Sequence, residues 1–478
     1  MKKNTILNLI MILSVGIVFS QKKNSNTKPY PYNNPVIKHM YTADASPHVM
    51  PDGRVWMVTS VDHENGGGYS TMHKYHTFSS KDMVNWVDHG EVLNIYDVMG
   101  KEKEPKGENW ALWAPDMVYY EGKYYLYFPV RIVLGKDGGE GKRKVKSYIA
   151  VAVSDSPDKK FTVINAKIEG TRGIDPSVFI DDDGQKYLYY GQHMGAKLKD
   201  NMKELDGKPV KLKVDDHRFM EAIWMNKKAG KYYLSYHSHY DKPIDPNNPD
   251  DLFRRKSRLD YVVGDNPLGP FEYKGILNYE LGVNVNEGPK LPGKNYVPWR
   301  LYQSNHGGIV EFHGQEYLFY HTSALSSWRQ DEFKGPGTWT QRSVCVDKIV
   351  YDESGTIRPV QQTLSSVDAV KVNQPYEISL KIKNKKVTND VLKFENINLG
   401  TGYYYAGLEV EGVQKTAKCE IRLDNPKGKL VGTIIIKKDG ISETLLREAS
   451  GKRTIYLVFK DANNAKIKSA RFFAGSPK

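Results

Sequence analysis

The stretch Ile174-Asp175-Pro176-Ser177-Val178-Phe179-Ile180-Asp181-Asp182-Asp183-Gly184, followed by Tyr187-Leu188-Tyr189-Tyr190, decides the fold. A polar residue heads a short β-rich run, an Asp-Gly turn follows, and an aromatic segment returns, which is the pattern of a β-hairpin. Four other segments repeat it. Asp44-Ala45-Ser46-Pro47-His48-Val49 turns at Gly53 into Val55-Trp56-Met57-Val58, and Asp116-Met117-Val118 turns at Gly122 into Lys123-Tyr124-Tyr125-Leu126-Tyr127. Glu221-Ala222-Ile223-Trp224 passes Gly230 to Tyr232-Tyr233-Leu234-Ser235-Tyr236, and His306-Gly307-Gly308-Ile309-Val310 passes Gly314 to Tyr317-Leu318-Phe319-Tyr320. The head residues Asp44, Asp116, Asp175, Glu221 and His306 lie 72, 59, 46 and 85 positions apart, room for a four-stranded sheet in each interval. Five such sheets set radially predict an all-β chain with a five-bladed β-propeller, whose heads converge at one end of the central axis.

Any one of these acids reads equally well as a turn or capping residue. Gathered on one axis they repel one another and raise their pKa values, which stability alone would not favour. Two carboxyls across a cleft are the minimum for hydrolysing a glycosidic bond: one protonates the leaving oxygen, the other activates water or attacks the anomeric carbon. A third can hold the proton donor at a raised pKa. A Gly-x-Ser-x-Gly elbow, a phosphate-binding glycine loop and a His-Glu-x-x-His zinc motif are all absent from the sequence.

Thr42-Ala43-Asp44, Trp113-Ala114-Pro115-Asp116, Ile174 to Gly184, Phe219-Met220-Glu221, Asn305-His306 and Arg342-Ser343-Val344-x-Val346-Asp347 together resemble glycoside hydrolase family 43, over roughly residues 35–360. The resemblance implies a five-bladed propeller and hydrolysis with inversion. It maps the general base to Asp44, the pKa-modulating acid to Asp175 and the general acid to Glu221. Arg342 corresponds to an arginine that approaches the sugar, and His306 to a histidine beside a bound metal, a structural calcium in many members. No cofactor is required for the chemistry. Two positions depart from the common pattern: Ala45 follows the base where many members carry Pro, and Gly307-Gly308 replace a bulkier pair. Trp113 and Asp116 are expected at the substrate, Trp113 as a stacking platform for the apolar face of a sugar, ahead of Trp110 and Trp224.

Outward from the repeats, Lys2-Lys3, the apolar stretch from Ile6 to Phe19 and the small residues around Ser20 read as a signal peptide over residues 1–20, hence a secreted or periplasmic protein with no membrane span after cleavage. The propeller is expected over residues 31–360 and a linker over 361–375. Residues 376–478 read as short alternating strands, a small β-sandwich. Within them Lys418 to Gly428, Val431 to Ile434 and Gly451 to Lys460 resemble carbohydrate-binding module family 6, a jelly roll. This module has no Trp, and Tyr403, Tyr404 and Tyr405 are its candidate sugar clamp.

The chain of 478 residues is 39% hydrophobic and 12% aromatic, enough for a large core and incompatible with a disordered chain. Two cysteines, Cys345 and Cys419, exclude a disulfide framework and a thiolate zinc site. Most of the net charge of +13 falls after residue 370, so an anionic glycan is a candidate partner of the basic C-terminal unit, against the simpler reading of a solvated lysine-rich face. Nucleic acid is not expected, since no recognition motif is present. The expected substrate is a plant or algal polysaccharide or oligosaccharide, from which a β-xylosidase or α-L-arabinofuranosidase releases pentose. A non-catalytic carbohydrate-binding propeller and a galactan-directed exo-glycosidase are the alternatives.

Overall fold

The computed structural model describes residues 29–64, 72–134, 144–216, 219–238, 258–278, 305–332, 341–382, 385–386, 391–461 and 465–478. The expected signal peptide lies outside them. Among these residues the chain is almost entirely β, with two short helices.

The first sheet is β1 (Thr42–Val49), β2 (Val55–Val61), β3 (Lys74–Ser80) and β4 (Trp86–Asn94), in that order, and α1 (Ile95–Met99) follows it. The second holds β5 (Glu108–Leu112), β6 (Asp116–Tyr120), β7 (Lys123–Leu134), β8 (Lys144–Ser154) and β9 (Thr162–Asn165); the long β7 pairs with β6 along its first half and with β5 along its second. The third is β10 (Ser177–Ile180), β11 (Lys186–Tyr190), β12 (Met194–Leu198) and β13 (Val210–Lys211). The fourth is β14 (Phe219–Lys228), β15 (Lys231–Ser238), β16 (Arg258–Gly264) and β17 (Phe271–Asn278). The fifth is β18 (Gly308–Phe312), β19 (Gln315–Thr322) and β20 (Ser343–Lys348), with α2 (Ala324–Asp331) between its last two strands.

All five repeat hairpins form as their turns dictate: Gly53, Gly122, Gly184, Gly230 and Gly314 have φ between 78° and 88°, which a side chain disfavours. The strands β1, β6, β10, β14 and β18 touch one another in that cyclic order, and β18 returns to β1. Because successive side chains of a strand point to opposite faces, each sheet feeds two cores. Val178 packs between the second and third sheets while Phe179, its neighbour, packs between the third and fourth. Likewise Ile309 faces the fourth sheet and Val310 the first. Five apolar clusters thus separate the five sheets around the ring.

Ring closure between β18 and β1 depends on Gly308, where a Cβ would stand 2.2 Å from Pro47 Cδ and 2.8 Å from the Ala45 carbonyl oxygen. Gly308, the second residue of the pair that departs in sequence, is therefore a steric requirement for the close approach of these two strands, whereas a Cβ on Gly307 would meet the Leu259 side chain.

Nine more strands follow: β21 (Glu377–Leu380), β22 (Lys385–Lys386), β23 (Val391–Asn398), β24 (Tyr405–Glu411), β25 (Ala417–Leu423), β26 (Leu430–Ile436), β27 (Gly440–Leu445), β28 (Lys452–Lys460) and β29 (Lys466–Phe473). They form two antiparallel sheets, ordered β21-β29-β24-β27 and β23-β28-β25-β26, and Leu408, Cys419, Ile434, Leu457 and Phe472 from both sheets share one core. This unit is fused to the first five sheets by a second apolar contact. Tyr404, Tyr405 and Phe473 belong to the same cluster as Val49, Val55 and Phe78 of the first sheet and Val310 of the fifth. Tyr403, Tyr404 and Tyr405 are all buried, so they are packing residues and not the exposed clamp expected from sequence. Segment 361–375 is likewise anchored: the Leu364 carbonyl accepts from Asn33 and Asn34, and Thr363 Oγ1 donates to Asp347 at 2.6 Å.

Candidate active site

All five head residues stand just before or near the start of the inner strands, and at three of these places the backbone departs from regular β. Asp44 has φ 57° inside a bulge of the β1–β2 pairing, Asp175 has φ 56° just before β10, and Ala222, next to Glu221, has φ 61° in a bulge of β14. Left-handed φ at non-glycine residues is costly and clusters at functional sites. Three of the sixteen such residues among those described fall at or beside the three acids, and the two bulges re-aim side chains that a regular strand would point into the inter-sheet cores.

His306 joins two of the acids. Its Nδ1 lies 3.0 Å from Asp44 Oδ1 and its Nε2 3.5 Å from Asp175 Oδ1. Burial disfavours the imidazolium, but the two carboxylates outweigh it and raise the His306 pKa well above its usual value. Burial likewise opposes ionisation of Asp44, yet Arg342 and His306 hold its carboxyl well below the usual carboxylate range. Asp175 goes the other way: burial raises its pKa, His306 offsets part of that, and the nearby charges of Glu221 and Asp44 add to the rise. Its Oδ2 accepts from the Ala222 backbone N–H at 3.2 Å, tying it to the strand that carries Glu221. Environment thus separates the acids, as division of labour among carboxyls requires.

Arg342 is buried and donates from Nη1 to Asp44 Oδ1 at 2.9 Å. Asp116 is placed differently from the other acids. Its Oδ2 accepts from the Val178 N–H at 2.6 Å, while Oδ1 meets His48 Nε2 at 2.8 Å and the Ser46 hydroxyl. With 1% exposure and both oxygens engaged, it ties β1, β6 and β10 together, so its expected contact with substrate is replaced by a structural role. Trp113 is half-buried with the Arg131 guanidinium 4.4 Å from its ring centre, whereas Trp110 and Trp224 are buried in the cores between sheets.

Three residues escaped the sequence reading: Asp62, His321 and His237. Asp62 binds Arg342, the Asp44 N–H donates to His321 Nδ1 at 3.3 Å, and His237 Nδ1 lies 3.5 Å from Glu221 Oε1. A signal existed for the histidines. In Tyr236-His237 and Tyr320-His321 the histidine falls one residue before the end of the second strand of a repeat hairpin, near the head of the first strand; Glu221 pairs with His237. Asp62 has no such signature.

For the calcium implied beside His306, one atom each from Asp44, His306 and His321 lies within 4.8 Å of the others. Calcium takes six to eight oxygen ligands. This set offers two imidazole nitrogens and one carboxylate already bound to Arg342, so it does not fit calcium by direct ligation.

Residues 32–357 match the family described as glycosyl hydrolases family 43. A xylosidase/arabinosidase from Humicola insolens is 34% identical over 68% of this chain and 98% of its own length. A xylosidase/arabinosidase from Bacteroides ovatus is 31% identical over 67% of this chain and 95% of its own. Among solved structures, a β-xylosidase/α-arabinofuranosidase from a compost microbial metagenome, in complex with xylotriose in a calcium-free form, superposes with a TM-score of 0.51 at 29% identity, over 70% of this chain and 98% of its own. A buried acid pair bridged by His306, a third acid on the adjoining inner strand and a family match across all five sheets lead to one conclusion: this chain belongs to glycosyl hydrolases family 43.

Proposed function

We propose that the protein is an inverting glycosidase that releases xylose or arabinose units from plant or algal polysaccharides or oligosaccharides. The observation that carries this reading is geometric: His306 bridges two buried acids, with Nδ1 3.0 Å from Asp44 Oδ1 and Nε2 3.5 Å from Asp175 Oδ1, and Arg342 Nη1 stands 2.9 Å from Asp44, where these cations favour its ionised form. An ionised Asp44 suits a base that takes a proton from water. Glu221 protonates the leaving oxygen, and the charge of Asp175 keeps that proton in place. The three acids and a water carry the chemistry in this reading, with Arg342 orienting Asp44. The names of the relatives support xylosides and arabinosides as the substrate class.

In the same reading the five sheets are the blades of a propeller over residues 31–360, supported by the cyclic contact of their inner strands. The last two sheets, over 376–478, form a jelly-roll sandwich like carbohydrate-binding module family 6, supported by their common core. Export follows from the leader-like residues 1–20. An anionic glycan on the C-terminal unit is favoured by the direct cross-strand pairing of Lys418 with Lys460, a like-charge contact that a bound anion relieves.

The test is a panel of nitrophenyl β-D-xyloside, α-L-arabinofuranoside and β-D-galactoside, with NMR of the fresh product. Turnover of a pentoside to the inverted anomer is expected. Retention would remove Asp44 from the role of base, turnover of the galactoside alone would redirect the enzyme to galactans, and inactivity on all three would leave a carbohydrate-binding propeller.

A further inference from the structure

The inner strands have two ends, and the acids occupy one. At the other, the ring and the C-terminal unit enclose a cavity of about 320 Å³, bounded by the far ends of β1, β6, β10, β14 and β18 and by residues 401–405 and 445–450. Asn226 lines it five positions beyond Glu221 on the same strand, roughly 15 Å away at strand rise. Exposed Gly314, Thr401 and Glu448 stand at its margin, so solvent reaches it from the side.

Its chemistry selects a neutral, hydroxyl-bearing ligand. The cations in its wall are already paired: Lys227 with Asp181 at 2.6 Å, Lys228 with Glu316 at 2.8 Å and Arg447 with Asp182 at 3.0 Å. An anion would have to break these pairs. One buried acceptor in the wall is left without a partner, and a carboxyl that already accepts from the Gly314 N–H stands near it. Asn226 Oδ1 is buried without a hydrogen-bond partner among the described residues, an arrangement that costs about 1–3 kcal/mol unless a ligand or water satisfies it. Glu311, whose carboxyl burial pushes up to about 7, also lines the space. Between these polar points Ile180, Met225, Ile309 and Leu446 offer apolar wall for C–H groups. A volume of about 320 Å³ is within the range of small-molecule sites and has room for a single sugar ring.

We propose that this cavity is a second sugar site, which takes a single free pentose between the propeller-like ring and the C-terminal unit. The hydroxyls of the sugar donate to Asn226 Oδ1 and Glu311 while its C–H face lies on the apolar wall. The choice of a pentose among small sugars rests on the reaction proposed above; the site itself rests on the cavity.

The full-length Glu221→Gln variant is titrated by calorimetry with D-xylose, L-arabinose and D-galactose, and its crystals are soaked in the tightest binder. Two pentose sites per chain are expected, one at the acids and one in the rear cavity. Ser450→Trp, which fills the cavity from the C-terminal side, and Asn226→Leu, which removes the acceptor, should each weaken the rear site at least tenfold. In the wild-type background both should leave turnover of an aryl pentoside without added sugar within about twofold. Sugar at the acids alone, or a rear site untouched by both variants, overturns the proposal. A rear site that prefers galactose overturns the pentose assignment, and pentosidase activity, measured separately, shows whether the reaction reading failed with it. Should the cavity variants not fold, density in soaked Glu221→Gln crystals decides, its absence from the rear cavity counting against.

Discussion

Asp62 grips Arg342 through three hydrogen bonds, from the backbone N–H at 2.8 Å, from Nε at 3.1 Å and from Nη2 at 2.8 Å, and both residues are buried. Only Nη1 is left to reach Asp44. A planar guanidinium held on one edge by a carboxylate presents its other edge in a fixed direction. Asp62 thus stands at one remove from Asp44, and Arg342 transmits its geometry.

Removing Asp62 should therefore be felt twice. Asp62→Ala strands a buried guanidinium, and the loss of one partner of such a pair costs about 3–5 kcal/mol. Asp62→Asn keeps the shape and lets Arg342 swing, with an expected fall in kcat of roughly 10–100-fold and little change in KM. Thermal denaturation of the first variant and steady-state kinetics of the second check these outcomes.

The acids should separate by leaving group. A nitrophenol needs little protonation, whereas a sugar alcohol needs nearly full proton donation. Glu221→Ala should depress activity far more on a xylo-disaccharide than on the aryl glycoside, and Asp44→Ala should damage both alike. Asp175→Asn removes a negative charge near Glu221, so the pKa of the acid should drop and the alkaline limb of the pH–rate profile should move to lower pH. An unmoved limb in a folded variant would make Asp175 structural.

Glu311 gives stability a pH dependence of known sign. Burial is the main cause of its rise from 4.5 to about 7, so the folded protein holds a proton that the unfolded chain has released. Its contribution is full below about pH 4.5 and is lost as pH rises through about 7, a change of at most about 3 kcal/mol. Glu311→Gln should flatten this slope between pH 5 and 8, as read from melting temperature against pH.

Truncation should not yield a clean catalytic domain. From sequence, deletion of residues 371–478 is expected to spare hydrolysis only if the join is not core. Tyr404, Tyr405 and Phe473 share a cluster with Val49, Phe78 and Val310 of the ring, and the Tyr405 hydroxyl donates to the Val49 carbonyl at 2.9 Å. The truncated protein should expose this apolar face and show a lower melting temperature and a tendency to aggregate, measured by calorimetry and light scattering. Unchanged melting would mean that the contact adds little to stability.

Much of the molecule was legible as local chemistry. The turn glycines from Gly53 to Gly314 and the alternating strands around them determined the five hairpins, because positive φ and a period of two are properties of neighbouring residues. The same repeat singled out Asp44, Asp175, Glu221 and His306, since it sets the head of each inner strand in an equivalent place. Tertiary structure alone decided which polar heads face the site. Asp116 carries the same pattern as Asp175, but Ser46, His48 and Val178 from two other strands consume its oxygens. It also decided that Asp62, 280 positions from Arg342, reaches Asp44 through that arginine, and that the tyrosines 403–405 are packing and not an exposed clamp. Partners so far apart in the chain leave no mark on local periodicity. Their pairing is set by closure of the ring and by the apolar surface that the C-terminal unit buries against it, and neither exists until the whole chain has folded.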